Sequence, residues 1–295
     1  MKKILLTLVG LTALMSIHAQ VVEIYKNGQL MQTFYNSLNS KYEVVFKQTG
    51  DQEKINGHEY VEIAGRKWAT MNVGATTVAG SPETAYGDYY TWGEIETYYS
   101  SLTETGINFK ANAKDTHIKG RKTSYNWQNY CNSGTFKEWE DYPAMTGGVL
   151  GEGYDVAQYK WGSTWHMPTF HDFQSLHKAC GGGKLVEAPK TITEGGVYHV
   201  KAGTTLDGVT YAVAGALFVT TDDIVKRLFF PMAGNLQDQN RDGCGTLCTY
   251  WSSSVKSDNT SCALNLSVST VEKSVNSKHV GVQRRCGLSI RPVAD

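Results

Sequence analysis

Apolar and polar residues form a series of short strand-like stretches along this chain, and one stretch carries a confident helical pattern. Residues 21–25 and 30–34 read as strands joined across Lys26-Asn27-Gly28-Gln29, where Asn-Gly is a strong two-residue hairpin signal. Residues 42–46 alternate as a third strand, and 48–56 are polar and contain glycine, as a linker would. Strands are expected again at 60–63, 211–218, 227–231, 250–254, 263–269 and 288–293, with 65–69 turning into another. The helix is expected at 169–180. Thr169 suits the N-cap after Pro168, and Asp172 three residues on completes a capping box. Phe173, Leu176 and Cys180 then share one face, and Gly181-Gly182-Gly183 ends the element. Residues 99–122 and 131–153 are long and polar, and loops of that length are often functional.

The first residues change the picture from a bare domain to an exported one. Lys2 and Lys3 precede an apolar run at 4–17, and Ala19-Gln20 offers a small-residue cleavage point, the pattern of a secretory signal over 1–19. The run is short for a membrane span, which needs about 20 residues. No cysteine follows it to carry an acyl anchor, so Gln20 is the expected mature start. About 275 residues then remain, enough for one large domain or one domain with a small appendage. Charge is balanced at 28 basic and 28 acidic side chains, without the basic stripe of a nucleic-acid binder. Tyrosine (17) and tryptophan (7) are plentiful, which suits both a packed core and a binding surface. The 6 cysteines permit up to three disulfides and leave about fifteen pairings open. Cys244 and Cys248 resemble half of a zinc site whose second half is missing, so a disulfide or free thiol is the better reading.

Seven short strings stand in order along the chain, each once: Lys67-Trp68-Ala69-Thr70-Met71-Asn72-Val73-Gly74-Ala75, Tyr86-Gly87-Asp88-Tyr89-Tyr90-Thr91-Trp92-Gly93-Glu94, Asp155-Val156-Ala157 with Trp161-Gly162, Trp165-His166-Met167-Pro168-Thr169, Phe229-Phe230-Pro231-Met232-Ala233-Gly234, Tyr250-Trp251-Ser252-Ser253-Ser254 and Ser289-Ile290-Arg291-Pro292-Val293, strings that recur across a known family. With them the chain resembles the major paralogous domain family of Bacteroidetes, first catalogued in Fibrobacter, within the C-type lectin-like and formylglycine-generating-enzyme fold group. His166 stands where that family usually has Arg. The resemblance implies an α+β C-type lectin-like domain over 57–295, preceded by a short β unit at 20–48 and a linker at 49–56. It also implies that the helix end and the last strand lie side by side, and hence a Cys180–Cys286 disulfide. Residues 250–293 further resemble the C-terminal segment of variable proteins of diversity-generating retroelements, in which exposed positions vary on a fixed frame. On that frame Leu264, Leu266 and Val268 face the core, and Asn265 and Ser267 face out. Lys256, Asp258, Glu272, Lys273, Lys278, His279 and Gln283 complete the implied polar binding surface.

Other site-like features have plainer readings. Asp238, Asn240 and Asp242 with Gly243 match the first half of an EF-hand loop, but the twelfth position is Thr249, where a bidentate Glu is needed. An Asp/Asn/Gly surface turn explains them, with calcium as the minor alternative. His171 and His177, six apart on one helix, point to opposite sides and cannot share a metal; with His166 they read as solvated or core-edge histidines. Cys286 beside Arg284 and Arg285 raises the thiol chemistry of a formylglycine-generating-type oxidase. Glu94 and Glu96 read as solvated carboxylates, and no nucleophile elbow, Walker loop or dinucleotide fingerprint is present. No catalytic residue and no cofactor are therefore expected. The expected function is non-catalytic recognition of a protein or glycan outside the cell, in adhesion or as a receptor, by an exported chain with no membrane segment beyond its signal. The alternatives are that oxidase and a structural component of a surface assembly, docked by strand pairing.

Overall fold

The computed structural model describes residues 53–95 and 145–295, apart from 238–239, 260 and 277–280, together with backbone pairings of short strands within residues 1–52. Among the described residues strand makes up 41% and helix 11%, so the fold is mainly β and the α+β expectation is corrected. The reason is local. Among the described residues only Phe170–Ala179, with 10 residues, is a sizeable helix; Pro82–Ala85 and Val156–Trp161 have 4 and 6. Strands of three residues, such as Leu185–Glu187, Ser274–Asn276 and Gly281–Gln283, fill segments too short to show alternation. No helix among the described residues is long and apolar enough to cross a membrane.

Two compact units divide the chain at Gln52 and Glu53, inside the expected linker. In the first, Val21–Lys26 pairs antiparallel with Gln29–Tyr35; the Asn27-Gly28 signal itself lies outside the described residues. Leu6–Thr7 lies parallel to Val21–Lys26, and Met15–Ser16 pairs with Glu43–Val44.

The second unit holds three main sheets. One runs Leu185–Glu187, Gly196–Val200, Gly215–Val219, Arg227–Pro231. Another runs Val293–Ala294, Arg66–Ala69, His58–Ile63, Lys54–Ile55. The third is built on the hairpin of Leu247–Val255 and Cys262–Ser269. Val149–Leu150 pairs on one side of it, and Ser274–Asn276 and Gly281–Gln283 pair on the other.

The helix starts and stops as its sequence dictates. The Thr169 hydroxyl accepts from Asp172 N–H (3.2 Å), and Asp172 accepts in return from Thr169 N–H (2.8 Å). At the far end Gly181 and Gly182 have φ of 86° and 63°. Their N–H groups donate to the Lys178 and His177 carbonyls, the Schellman pattern that Cβ-free residues favour. Phe173, Leu176 and Cys180 all pack into one core cluster with Trp68, Phe230 and Tyr250.

Asp172 also accepts from Arg66 Nε at 2.9 Å. Burial pushes its carboxyl up, but hydrogen bonds from Thr169 and the Arg66 guanidinium together hold it below the usual carboxylate value. Because the folded value is the lower one, this stabilisation is complete above the ordinary value near 4 and is lost as pH falls through the folded value. Asp172→Asn is therefore expected to cost about 1–2 kcal/mol at neutral pH. It should also flatten the fall in melting temperature as pH drops below the ordinary carboxylate value near 4. An unchanged acid limb in calorimetry would remove Asp172 from the account.

A second prediction concerns the turn between His58–Ile63 and Arg66–Ala69. Ala64 sits at φ 54° before Gly65 at 74°, as a two-residue hairpin turn requires. A left-handed Ala costs about 1 kcal/mol that Asn largely avoids. Ala64→Asn, which reproduces the Asn56-Gly57 turn of the preceding hairpin, is expected to raise stability by about 0.5–1 kcal/mol in denaturant melts.

Two further expectations are corrected. Residues 288–293 do not form one strand. Gly287, Leu288 and Ser289 make single bridges to Leu236, Tyr90 and Tyr250 in turn, and only Val293–Ala294 joins a sheet. The segment threads between elements instead of lying beside one. Cys180 is a free thiol, and Cys286 belongs to a different core cluster, so the implied bridge is absent. Cys244, Cys248 and Cys262 are also free, and Cys131 lies outside the described residues.

Candidate ligand-binding surface

The recurring strings meet in one place, and their polar groups point inward. Trp251 Nε1 donates to the Tyr90 carbonyl and Trp92 Nε1 to that of Ser252, both at 2.8 Å. Tyr89 and Tyr250 hydroxyls donate to the Ala233 and Pro231 carbonyls at 2.7 and 2.9 Å. Asp155 caps the Val156–Trp161 helix through the N–H groups of Ala157 and Gln158, and its other oxygen accepts from Met167 N–H at 2.7 Å. Burial raises its carboxyl against these three donors. Ser254 Oγ accepts from Phe170 N–H, tying the Tyr-Trp-Ser strand to the start of the main helix. Arg291 is wholly buried at the centre. It donates to Asn72 Oδ1 and to the carbonyls of Ala69, Thr70 and Phe229 at 2.9–3.0 Å. Its guanidinium carbon lies 4.6 Å from the Phe230 ring centre. These residues make a scaffold.

The hairpin of Leu247–Val255 and Cys262–Ser269 stands on that scaffold with core on both faces. Leu266 and Val268 join the Trp68 and Phe173 cluster, while Ala263 joins that of Trp251, Tyr90 and Leu288. Leu264, Leu266 and Val268 are buried as expected. Asn265 is not outside: it is 2% exposed, lies opposite Trp251 in register, and donates to the Leu266 carbonyl. The alternation is real, but its polar face is covered where Trp251 packs. Two positions on, Ser267 reaches the half-buried margin.

The charged candidates separate into two groups. Lys256, half-buried, pairs with exposed Asp258 in the turn after Val255, where Cys262 N–H closes onto the Asn259 carbonyl. Gln283 lies beside this turn, opposite Cys262 in register, and accepts from Arg285 Nε at 2.9 Å. Glu272 and Lys273 are exposed in the turn before Ser274–Asn276, at the other end of the strand. With seven steps from Cys262 to Ser269, the two ends stand about 23 Å apart at a rise of about 3.3 Å per residue. The structure thus brings Lys256, Asp258 and Gln283 together, sets Glu272 and Lys273 apart, and buries Asn265. Lys278 and His279 lie outside the described residues. Arg285, beside Gln283, was not singled out as a binder from the sequence, although its basic pair with Arg284 marks it.

The remaining candidates fall elsewhere. His177 is 6% exposed and bonds the Gly183 carbonyl, and His166 Nδ1 meets the Met167 carbonyl at 3.0 Å. Asp242 is exposed at the end of Asn240–Asp242; Asp238 and the Asn240 side chain lie outside the description. Among the described residues no group of 3 or more His, Cys, Asp and Glu side chains gathers as for a metal. Cys286 is 2% exposed, short of the accessibility a reactive thiol needs. Glu94 is 7% exposed and accepts from the Thr91 hydroxyl, so it is not the solvated carboxylate expected; Glu96 lies outside the described residues. Comparison with protein-family models, with curated proteins and with solved structures finds no match to this chain.

Proposed function

We propose that this chain is an exported, non-catalytic binding protein of the major paralogous type, which recognises a protein or glycan outside the cell through the loops of one hairpin. One contrast supports the reading. The side chains of Tyr89, Trp92, Tyr250 and Trp251 make their hydrogen bonds within the core, whereas Asp258 and Gln283 are exposed and Lys256 is half-buried. A rigid strand pair with polar loops suits recognition, because loops tolerate change that a core does not. Lys256, Asp258, Gln283 and Arg285 form the proposed primary surface, and Glu272 with Lys273 a separate one.

The test is a glycan and extracellular-protein array probed with the mature chain and with a variant carrying Lys256→Ala, Asp258→Ala and Gln283→Ala. At least one protein or glycan ligand of the parent should be weakened at least about tenfold in the variant, about 1.4 kcal/mol. A Glu272→Ala, Lys273→Ala variant should lose less. Equal binding by parent and triple variant would refute the assignment.

A further inference from the structure

A second surface lies away from that hairpin. The Asn56-Gly57 turn folds His58 flat against Trp161, the last residue of Val156–Trp161, with ring centres 3.5 Å apart and planes within 6°. Trp165 packs edge-on to both, at 6.3 and 5.4 Å, and its own N–H is engaged by the Ile55 carbonyl at 3.1 Å. Asn56 Nδ2 fixes the turn by donating to the Trp161 carbonyl at 2.9 Å. Both stacked rings remain partly open to solvent. Among the described residues, neither ring nitrogen of His58, nor the Trp161 indole N–H, nor Asn56 Oδ1 has a hydrogen-bond partner. Burial lowers the affinity of His58 for a proton, which keeps its imidazole neutral at pH 7, with one donor and one acceptor. Lys54 pairs with Glu59, and the Tyr60 hydroxyl donates to Glu53.

We propose that the His58–Trp161 stack, with Asn56, is a binding platform for a neutral pyranose ring of an oligosaccharide. Aromatic surface accepts the C–H face of a sugar, and a close set of free donors and acceptors matches its adjacent hydroxyls. The three side chains of the platform are themselves uncharged, which favours a neutral ligand over an ionic one that would lose its hydration. Trp165 fixes the rings from beneath, so little ordering is left to the binding step. The platform is independent of the hairpin surface proposed above.

The experiment is a titration of the intact protein with neutral gluco-, manno-, galacto- and xylo-hexaoses. It is read by tryptophan fluorescence and by the His58 imidazole resonances. At least one hexaose should give a saturable change in both signals. Binding should weaken at least about tenfold in Trp161→Ala and in His58→Ala, and be unchanged in the Lys256→Ala, Asp258→Ala, Gln283→Ala variant. If Trp161→Ala does not fold, His58→Ala decides alone. Three outcomes overturn the proposal: no hexaose moves either signal, only polygalacturonate or a proline-rich peptide does, or the hexaose binds His58→Ala as tightly as the parent.

Discussion

Arg291→Ala is expected to lower stability by about 4 kcal/mol, and with it the melting temperature by roughly 8–16 °C. Four acceptors depend on this one side chain: Asn72 Oδ1 and the carbonyls of Ala69, Thr70 and Phe229. All are buried around a guanidinium with no exposed surface, so truncation leaves them unpaired beside a cavity. Burial draws the Arg291 pKa down to about 10, which still leaves it charged at neutral pH. Its charge is spread over the faces of Phe230 and Tyr250, whose ring centres lie 4.6 and 5.9 Å away. Arg291→Lys keeps the charge but cannot reproduce the planar fork, so it should recover less than half of the loss. Circular dichroism melts of both variants provide the check. An Ala variant within 2 °C of the parent, on the order of 1 kcal/mol or less, would remove Arg291 from the centre of the fold.

Trp251→Ala is expected to cost about 3–5 kcal/mol. Trp251 has no exposed surface, packs with Tyr90, Met167, Ala263 and Leu288, and donates its indole N–H to the Tyr90 carbonyl. Its backbone N–H reaches the Ser289 carbonyl, so one residue joins three of the recurring strings. Trp251→Phe retains most of the ring but no donor, and should cost about 1–2 kcal/mol. A near-neutral Trp251→Ala in denaturant titration would mean that the Tyr-Trp-Ser strand is peripheral.

Where one local rule governs a segment, the sequence was enough to read it. Thr169, Asp172 and the three glycines bound the main helix because capping chemistry acts within four residues. Leu264, Leu266 and Val268 are buried because strand alternation is a property of the backbone. Asn265 escaped that reading. Alternation says which residues share a face, and only the register with Leu247–Val255 reveals that Trp251 covers this one. The distance between the Lys256 and Glu272 turns was hidden for the same reason, since polar loops near in sequence sit at opposite ends of a strand. The Cys180–Cys286 pairing failed because residues 287–289 pass from partner to partner between layers, and no periodicity marks such a path. The His58–Trp161 stack joins residues 103 apart by a turn, a contact that spacing along the chain does not show.

The central claim is that the recurring strings form the scaffold and the hairpin loops are free of it. The most direct measurement is the melting temperature of a chain carrying Lys256→Ala, Asp258→Ala, Glu272→Ala, Lys273→Ala and Gln283→Ala together. Surface substitutions usually lie within about 0.5 kcal/mol each and partly cancel, so the variant should melt within about 4 °C of the parent. A fall of more than about 10 °C, comparable to that expected of Trp251→Ala, would show that these loops hold the fold together and would contradict the account.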